Sequence, residues 1–304
     1  MRRRIARVTR LVTLALVLGV VALALPDSAV KSTQITLVKI HDGRAAAIGP
    51  HVISILAVGS DARPGEDMTH SRGDALQLVT INTQTHAASI IGVPRDSWVD
   101  IPGHGMDKIN ASLYYGGPQL LGQTIGNLIG VQPKYVFVTR FPYFIAMVKS
   151  IGGIDVHNPY AFSDDPLKRV GFPKGRIHLN GYDAMAYSRI RHTLPAGDFD
   201  RSAHQEIVLK AIQAKVSANA GRPGFIERGV LDAMSHMYTN LPPAELYRLA
   251  QAMAQVDPST VRSCGVQGGI GTSSGGASIV LPFVSQARDM GNQIRKDATL
   301  SHCG

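Results

Sequence analysis

An α/β fold built as one domain is what the sequence predicts, and three observations predict it. Short apolar runs rich in Val and Ile, at 51–58, 76–81 and 87–93, have the length and composition of buried strands. Further along, strand-like runs alternate with helical patterns of apolar residues. The roughly 270 residues behind the N-terminal segment contain no internal repeat and no linker-like stretch, so they read as a single domain.

Charge punctuates the three runs. Gly59-Ser60-Asp61-Ala62-Arg63 follows the first, Ser71-Arg72-Gly73-Asp74 precedes the second, and Pro94-Arg95-Asp96 follows the third. Adjacent strands lie about 5 Å apart. If the runs are sheet neighbours, Asp61, Arg72, Asp74 and Arg95 share one edge. Two facing carboxylates repel unless a cation lies between them, and oxygen ligands suit Mg²⁺. Arginines beside that cation require an anion as well, so the set points to a phosphate or pyrophosphate. Surface ion pairs capping strand ends are the competing reading of the same residues.

The N-terminus, residues 1–10, carries five arginines and no acid, and the uncharged run Leu11–Leu25 follows, ending at Pro26. Fifteen helical residues span about 22 Å, short of the ~30 Å hydrocarbon core, so flanking residues must extend the span. Two readings are open, a signal-anchor and a cleavable signal peptide; the absence of an A-x-A site favours the anchor. Either way the basic flank stays inside and the rest is exported, to the cell membrane or, after cleavage, beyond it. Residues 1–30 are thus expected to be a basic arm and anchor, 31–50 a polar stem, and 51–304 the exported domain. The net charge of +9 owes five units to the arm, so the exported part is only mildly basic. An exported domain has no nucleic-acid partner. Its two cysteines, Cys264 and Cys303, are expected to pair in an oxidising compartment, and no Cys/His spacing suggests zinc.

Beyond the third charged cluster, 97–101 reads as a strand, Pro102-Gly103-His104-Gly105 as a turn, and 118–128 as a helix. Residues 135–139 read as a strand, 142–150 as a helix, 154–156 as a strand, and 159–176 as an irregular exposed loop. A second informative stretch runs from Leu179 to Ile212. Arg189 and Arg191 lie two apart and would diverge by about 200° on a helix. They act together only if the helix of 181–188 ends near Tyr187 and both lie on extended chain. Arg201 and Gln205, four apart, share a helical face that continues into Val208 and Ile212, so their polar end tops an apolar stripe. Residues 203–219 and 242–255 read as amphipathic helices covering the sheet. Gly271–Gly275 matches G-x-S-x-G, but in a Gly/Ser-rich stretch without a triad acid in order, which leaves a serine hydrolase a remote alternative.

In order along the chain, these motifs resemble the LytR–CpsA–Psr family of bacterial cell-wall glycopolymer ligases over roughly residues 53–212. The resemblance rests on Gly59–Arg63, on Arg72-Gly73-Asp74-Ala75, on Pro94-Arg95-Asp96, and on Ile101-Pro102-Gly103 through Lys108-Ile109-Asn110. It continues in Arg189-Ile190-Arg191-His192 and in Gly197 through Gln205, where His204 replaces a usual arginine. It implies a single α/β/α sandwich with a central mixed sheet, helices on both faces and an apolar channel for a polyprenyl chain. It implies a phosphotransferase that moves a glycopolymer from a polyprenyl-pyrophosphate carrier to peptidoglycan through a phosphodiester link. Asp61 and Asp74 then hold Mg²⁺ (or Mn²⁺). Asp61, Arg72, Asp74 and Arg95 are the implied catalytic set, and Arg63, Lys108, Arg189, Arg191, Arg201 and Gln205 the implied substrate-binding set. Asp96, Asp198 and Asp200 are candidate bases. A non-catalytic binder of lipid-linked saccharide is the alternative function.

Overall fold

The computed structural model describes residues 34–303 apart from 42, 44 and 64. The basic arm and apolar run expected at 1–30 lie outside the described residues, and among the described ones no helix is long and apolar enough to cross a membrane. The chain runs β1 (Ile35–Lys39), β2 (Val52–Ser60), β3 (Gly73–Asn82), β4 (Ala88–Gly92), β5 (Trp98–Ile101), β6 (Gly105–Lys108), α1 (Ala111–Ile129), β7 (Tyr135–Arg140) and α2 (Phe141–Ser150). It continues with β8 (Ile154–Asn158), β9 (Phe162–Asp164), α3 (Asp165–Lys168), β10 (Arg169–Phe172), β11 (Gly175–Leu179), α4 (Gly181–Arg189) and α5 (Asp198–Asn219). It closes with α6 (Phe225–Ser235), β12 (Met237–Thr239), α7 (Pro243–Gln255), β13 (Arg262–Gly265), β14 (Gly268–Thr272), β15 (Ser278–Pro282) and α8 (Val284–Asp297).

Seven strands form a mixed central sheet in the order β12-β1-β7-β2-β3-β4-β13. Strand alternation sorts its side chains to two faces. Leu56, Val58, Leu76, Leu78, Ile91, Val136 and Val138 point to one face and pack against Leu121, Ile125 and Ile129 of α1 and Met290 and Ile294 of α8. Leu37, Ile55 and Tyr135 point to the other, against Leu246 and Leu249 of α7, and Ile81 and Ile90 meet Ala252 and Val256 beside them. Each fully buried aliphatic side chain contributes about 1.5–3 kcal/mol. Both faces are covered, which makes the expected sandwich.

Several boundaries differ from the sequence reading, each for a local reason. The segment expected to be a stem carries β1, which pairs with β7 and β12 inside the sheet and buries Ile35 and Leu37. Its alternation is only five residues long and ends in Lys39, which masked it. Helix α1 begins seven residues before Pro118, but Gly116 and Gly117 break it, so the regular helix does start at Pro118. The loop expected at 159–176 contains the short β9–β10 pair and the one-turn α3. Cys264 and Cys303 form a disulfide that ties β13 to the tail after α8.

Candidate functional site

β2, β4 and β7 run in the same direction, and their C-terminal ends lie at one edge of the sheet, where open α/β sheets place ligands. Asp61 follows β2, Arg95 follows β4, and β3 begins at that edge with Gly73 and Asp74. The β2–β3 ladder is irregular there: Gly59 pairs with Ala75 but Ser60 pairs with Gly73, leaving Asp74 as an extra residue. Regular alternation would send Asp74 to the same face as Leu76. The bulge turns it to the edge. Asp61 is held beside it by its main-chain N–H, which donates to the Arg72 carbonyl at 3.2 Å.

The pocket is a set of ion pairs. Asp74 accepts from the Arg95 guanidinium and has Arg189 Nη2 at 3.7 Å. Asp96 has Lys108 Nζ at 2.9 Å, Arg191 Nη1 at 3.7 Å and Arg95 Nε at 3.9 Å. Asp198 pairs with Arg201. Burial opposes the Arg95 charge, but Asp74, Asp96 and Asp198 outweigh it and raise its pKa. Burial raises the Asp61 pKa, and the Asp74 charge raises it further, against Arg95 and Arg72. Burial likewise raises Asp198 and lowers Arg201. Six cations (Arg72, Arg95, Lys108, Arg189, Arg191 and Arg201) surround four carboxylates (Asp61, Asp74, Asp96 and Asp198). The excess of positive charge suits an anion of about two charges.

The helices bring their arginines in, though Arg189 does so as the last helical residue and not from extended chain. α4 ends at Arg189, two residues beyond the expected end, and Ile190 is extended at φ −59° and ψ 134°. That single extended residue lets Arg189 and Arg191 face the same pocket. Arg189 also lies over the Phe141 ring at 4.3 Å. Gln205 is buried, and its amide nitrogen faces the Asp74 carbonyl at 3.4 Å and the Ser188 carbonyl at 3.2 Å, so it ties α5 to α4 and β3. Arg63 is exposed, and only its main chain is bonded, to Glu66 and Arg140, among the described residues. Asp200 accepts from the Ala196 N–H at 2.8 Å, capping the turn before α5.

An apolar cavity of about 110 Å³ opens beneath this pocket. Its floor is Ala57, Gly59 and Ala75 on β2 and β3, and its walls include Phe141, Phe144, Met147, Met185 and Val208. Elsewhere on this face the same strands carry Ile55 and Val79. Small side chains at the pocket end alone keep α2, α4 and α5 from filling the space. Gln205 lines the cavity and touches the Asp74 carbonyl, and Phe141 of the cavity wall lies under Arg189, so cavity and ion pairs adjoin.

Sequence reasoning missed Arg140. It ends the apolar strand β7, is 6% exposed, and donates to the carbonyls of Ala62, Arg63 and Glu66. It thereby fixes the loop that carries Asp61. A cation closing an otherwise apolar strand was the available signal. His204 stands outside the pocket: its ring packs 4.4 Å from Tyr187 and 4.7 Å from Phe162. Ser273 sits at the tip of the β14–β15 hairpin, its hydroxyl accepting from the Ala277 N–H. That is not the strand-to-helix turn a nucleophile elbow needs.

Burial holds the His204 pKa down to about 4. The unfolded chain, with a value near 6.5, therefore binds more protons between those limits, and stability is lost as pH falls through them. Glu206 acts in the opposite sense: burial pushes it up to about 7, so its contribution is lost as pH rises through that value. His204→Phe is expected to flatten the acid limb by about 2–3 kcal/mol. Urea melts across pH 4–7.5 check this; an acid limb as steep as the parent's would sink it.

Fold and site together define a class: an α/β sandwich protein with a cationic pocket at one sheet edge, above an apolar cavity. The chain belongs to the LytR_cpsA_psr family, whose model matches residues 29–296. It is similar to the polyisoprenyl-teichoic acid–peptidoglycan teichoic acid transferase TagU of Bacillus subtilis (strain 168), 38% identical over 160 residues, which are 52% of this chain and 50% of that protein. The chain thus spans about half the length of that curated relative. The crystal structure of B. subtilis TagT is 26% identical with a TM-score of 0.65, covering 82% of this chain and 92% of that one. The LytR-CPS2A-psr family protein YwtF (TagT), with bound octaprenyl pyrophosphate lipid, shares the fold at 24% identity and a TM-score of 0.62, over 82% of this chain and 91% of that one.

Proposed function

We propose that the protein transfers a glycopolymer from a polyprenyl-pyrophosphate carrier to a hydroxyl of peptidoglycan, leaving a phosphodiester. The observation that carries this reading is the adjacency of the cationic pocket and the apolar cavity, which meet at Gln205 and Phe141. A lipid pyrophosphate has the matching shape, an anionic head on an apolar chain. The name of the B. subtilis relative, a polyisoprenyl-teichoic acid transferase, supports it.

In the reaction the acceptor oxygen forms a bond to the glycopolymer-bearing phosphorus. The bridging P–O bond breaks, polyprenyl phosphate leaves, and the hydroxyl proton passes to a base. Such transfers need charge neutralisation and in-line placement more than covalent help. Arg95 and Arg189, oriented by Asp74, face one side of the anion; Lys108 and Arg191, oriented by Asp96, face another. Arg72, exposed at the mouth, meets the head group as it enters. The run at 11–25 would keep the domain at the membrane face where the carrier resides.

Asp61 and Asp74 fit a divalent cation, Mg²⁺ or Mn²⁺. They are two carboxylates close enough for Asp74 to raise the Asp61 pKa. Among the described residues no group of three or more His, Cys, Asp or Glu forms a cage, so an ion there would take its other ligands from phosphate and water, as Mg²⁺ does. When bound it would neutralise charge on the phosphate oxygens. A transfer assay on the purified full chain, with a polyprenyl-pyrophosphoryl oligosaccharide and peptidoglycan, tests both parts. Transfer is expected with Mg²⁺ and is expected to fall at least about tenfold with chelator. Undiminished transfer in chelator would remove the metal from the reading, and lipid binding without transfer would leave a saccharide-lipid binder.

A further inference from the structure

Beside the pocket, linked to it through Asp107 and Lys108, stand aromatic rings that the phosphate chemistry leaves unused. The turn between β5 and β6 presents His104, flanked by Gly103 and Gly105 at φ 81° and 73°. The first turn of α1 presents Tyr114 and Tyr115, just before Gly116 and Gly117 break the helix. His104 stacks flat on Tyr115, with centroids 4.6 Å apart and planes 5° apart, and Tyr114 meets Tyr115 edge-on at 5.8 Å. Tyr114 is 60% exposed and Tyr115 41%. Large rings left so far in water, stacked on one another, are not core residues.

The stack is bonded to the pocket. Tyr115 Oη donates to Asp107 Oδ2 at 2.8 Å, the Lys108 main-chain N–H donates to Asp107 Oδ1 at 2.7 Å, and Lys108 Nζ reaches Asp96 at 2.9 Å. Its position relative to the cavity matters more. The apolar cavity lies on the sheet face covered by α2, α4 and α5, whereas α1 belongs to the opposite face. The anion pocket sits at the edge between them. A leaving group that trails into the cavity requires an attacking oxygen from the other side, because displacement at phosphorus runs in line.

We propose that His104, Tyr114 and Tyr115 form the subsite for a sugar ring of the acceptor glycan, stacking its apolar C–H face and directing a hydroxyl at the pocket. This rests on the transferase reading above. A pyranose offers one apolar face and a rim of hydroxyls, which suits an aromatic stack with a carboxylate, Asp107, at its border. The same carboxylate disfavours an anionic membrane surface as the occupant.

The test uses the purified full chain and two readouts, transfer kinetics and direct titration with a β-1,4-linked N-acetylglucosamine tetramer. Tyr114→Ala and Tyr115→Ala are expected to raise the KM for acceptor glycan roughly tenfold while leaving the KM for donor unchanged. Tyr115→Phe, which keeps the ring, is expected to stay close to the parent. A rise in donor KM with acceptor KM unchanged would overturn the assignment. If the parent transfers nothing, the transferase reading has failed, and the titration alone judges the stack. Tetramer binding that both alanine variants lose supports it; no binding by the parent overturns it. Loss of binding to phosphatidylglycerol vesicles in the variants, with tetramer binding intact, also overturns it in favour of a membrane contact.

Discussion

Asp74→Asn is expected to lower the transfer rate by about 10²–10³-fold, the loss typical of removing one preorganised charge-stabilising group. Asparagine keeps the shape and an acceptor oxygen, so the fold survives. What changes is charge. Arg95 and Arg189 lose the carboxylate that aims them, and the pocket becomes more positive by one unit. In chelator, ground-state binding of an anionic lipid head should therefore hold or tighten, while kcat in Mg²⁺ falls through the lost ion ligand as well as the lost aim. Steady-state kinetics beside equilibrium binding of a polyprenyl pyrophosphate separates these effects. A fall in affinity matching the fall in rate would reduce Asp74 to a structural ion pair.

The second large effect is expected from the cavity floor. Ala57→Leu with Ala75→Leu puts branched side chains where the structure has only methyl groups. Filling a void of about 110 Å³ stabilises by up to about 2–3 kcal/mol if the new atoms fit without strain. The same atoms occupy the space proposed for the lipid chain. The double variant should therefore melt higher than the parent, yet show a KM for long-chain donors raised about 10–100-fold. Donors with a short prenyl chain should be spared. Equal loss with short and long chains would mean that the lipid does not enter this cavity.

The sequence made the sheet edge legible because the chemistry there is written in short, local words. Asp61, Arg72, Asp74 and Arg95 each lie within a few residues of a strand end, and strand ends are easy to place. Arg189 and Arg191 were legible only as a condition on where their helix stops. The stop came at Arg189, two residues later than expected, so the condition that both arginines lie on extended chain was not met; they still meet because Ile190 alone turns extended between them. Long-range partners were not legible. β1 reaches the sheet through β7 and β12, more than ninety residues away in sequence. Arg140 matters through three carbonyls of another loop, and carbonyls leave no mark on a sequence. The role of His204 was open because a histidine among motif residues looks functional. Its aromatic neighbours Phe162 and Tyr187 come from elements that the motif does not include.

The bulge at Asp74 has a consequence for how such chains are compared. Asp74 owes its aim to a count of residues rather than to its own chemistry, since it is one extra position on its own strand, between the partners of Ser60 and Gly59, and that turns it outward. A relative that keeps the letters of the motif but lacks the additional position would carry the aspartate on the wrong side of its sheet, against apolar packing. Spelling and geometry can therefore part company in this fold, and an alignment that slides a gap across this point compares two different sites.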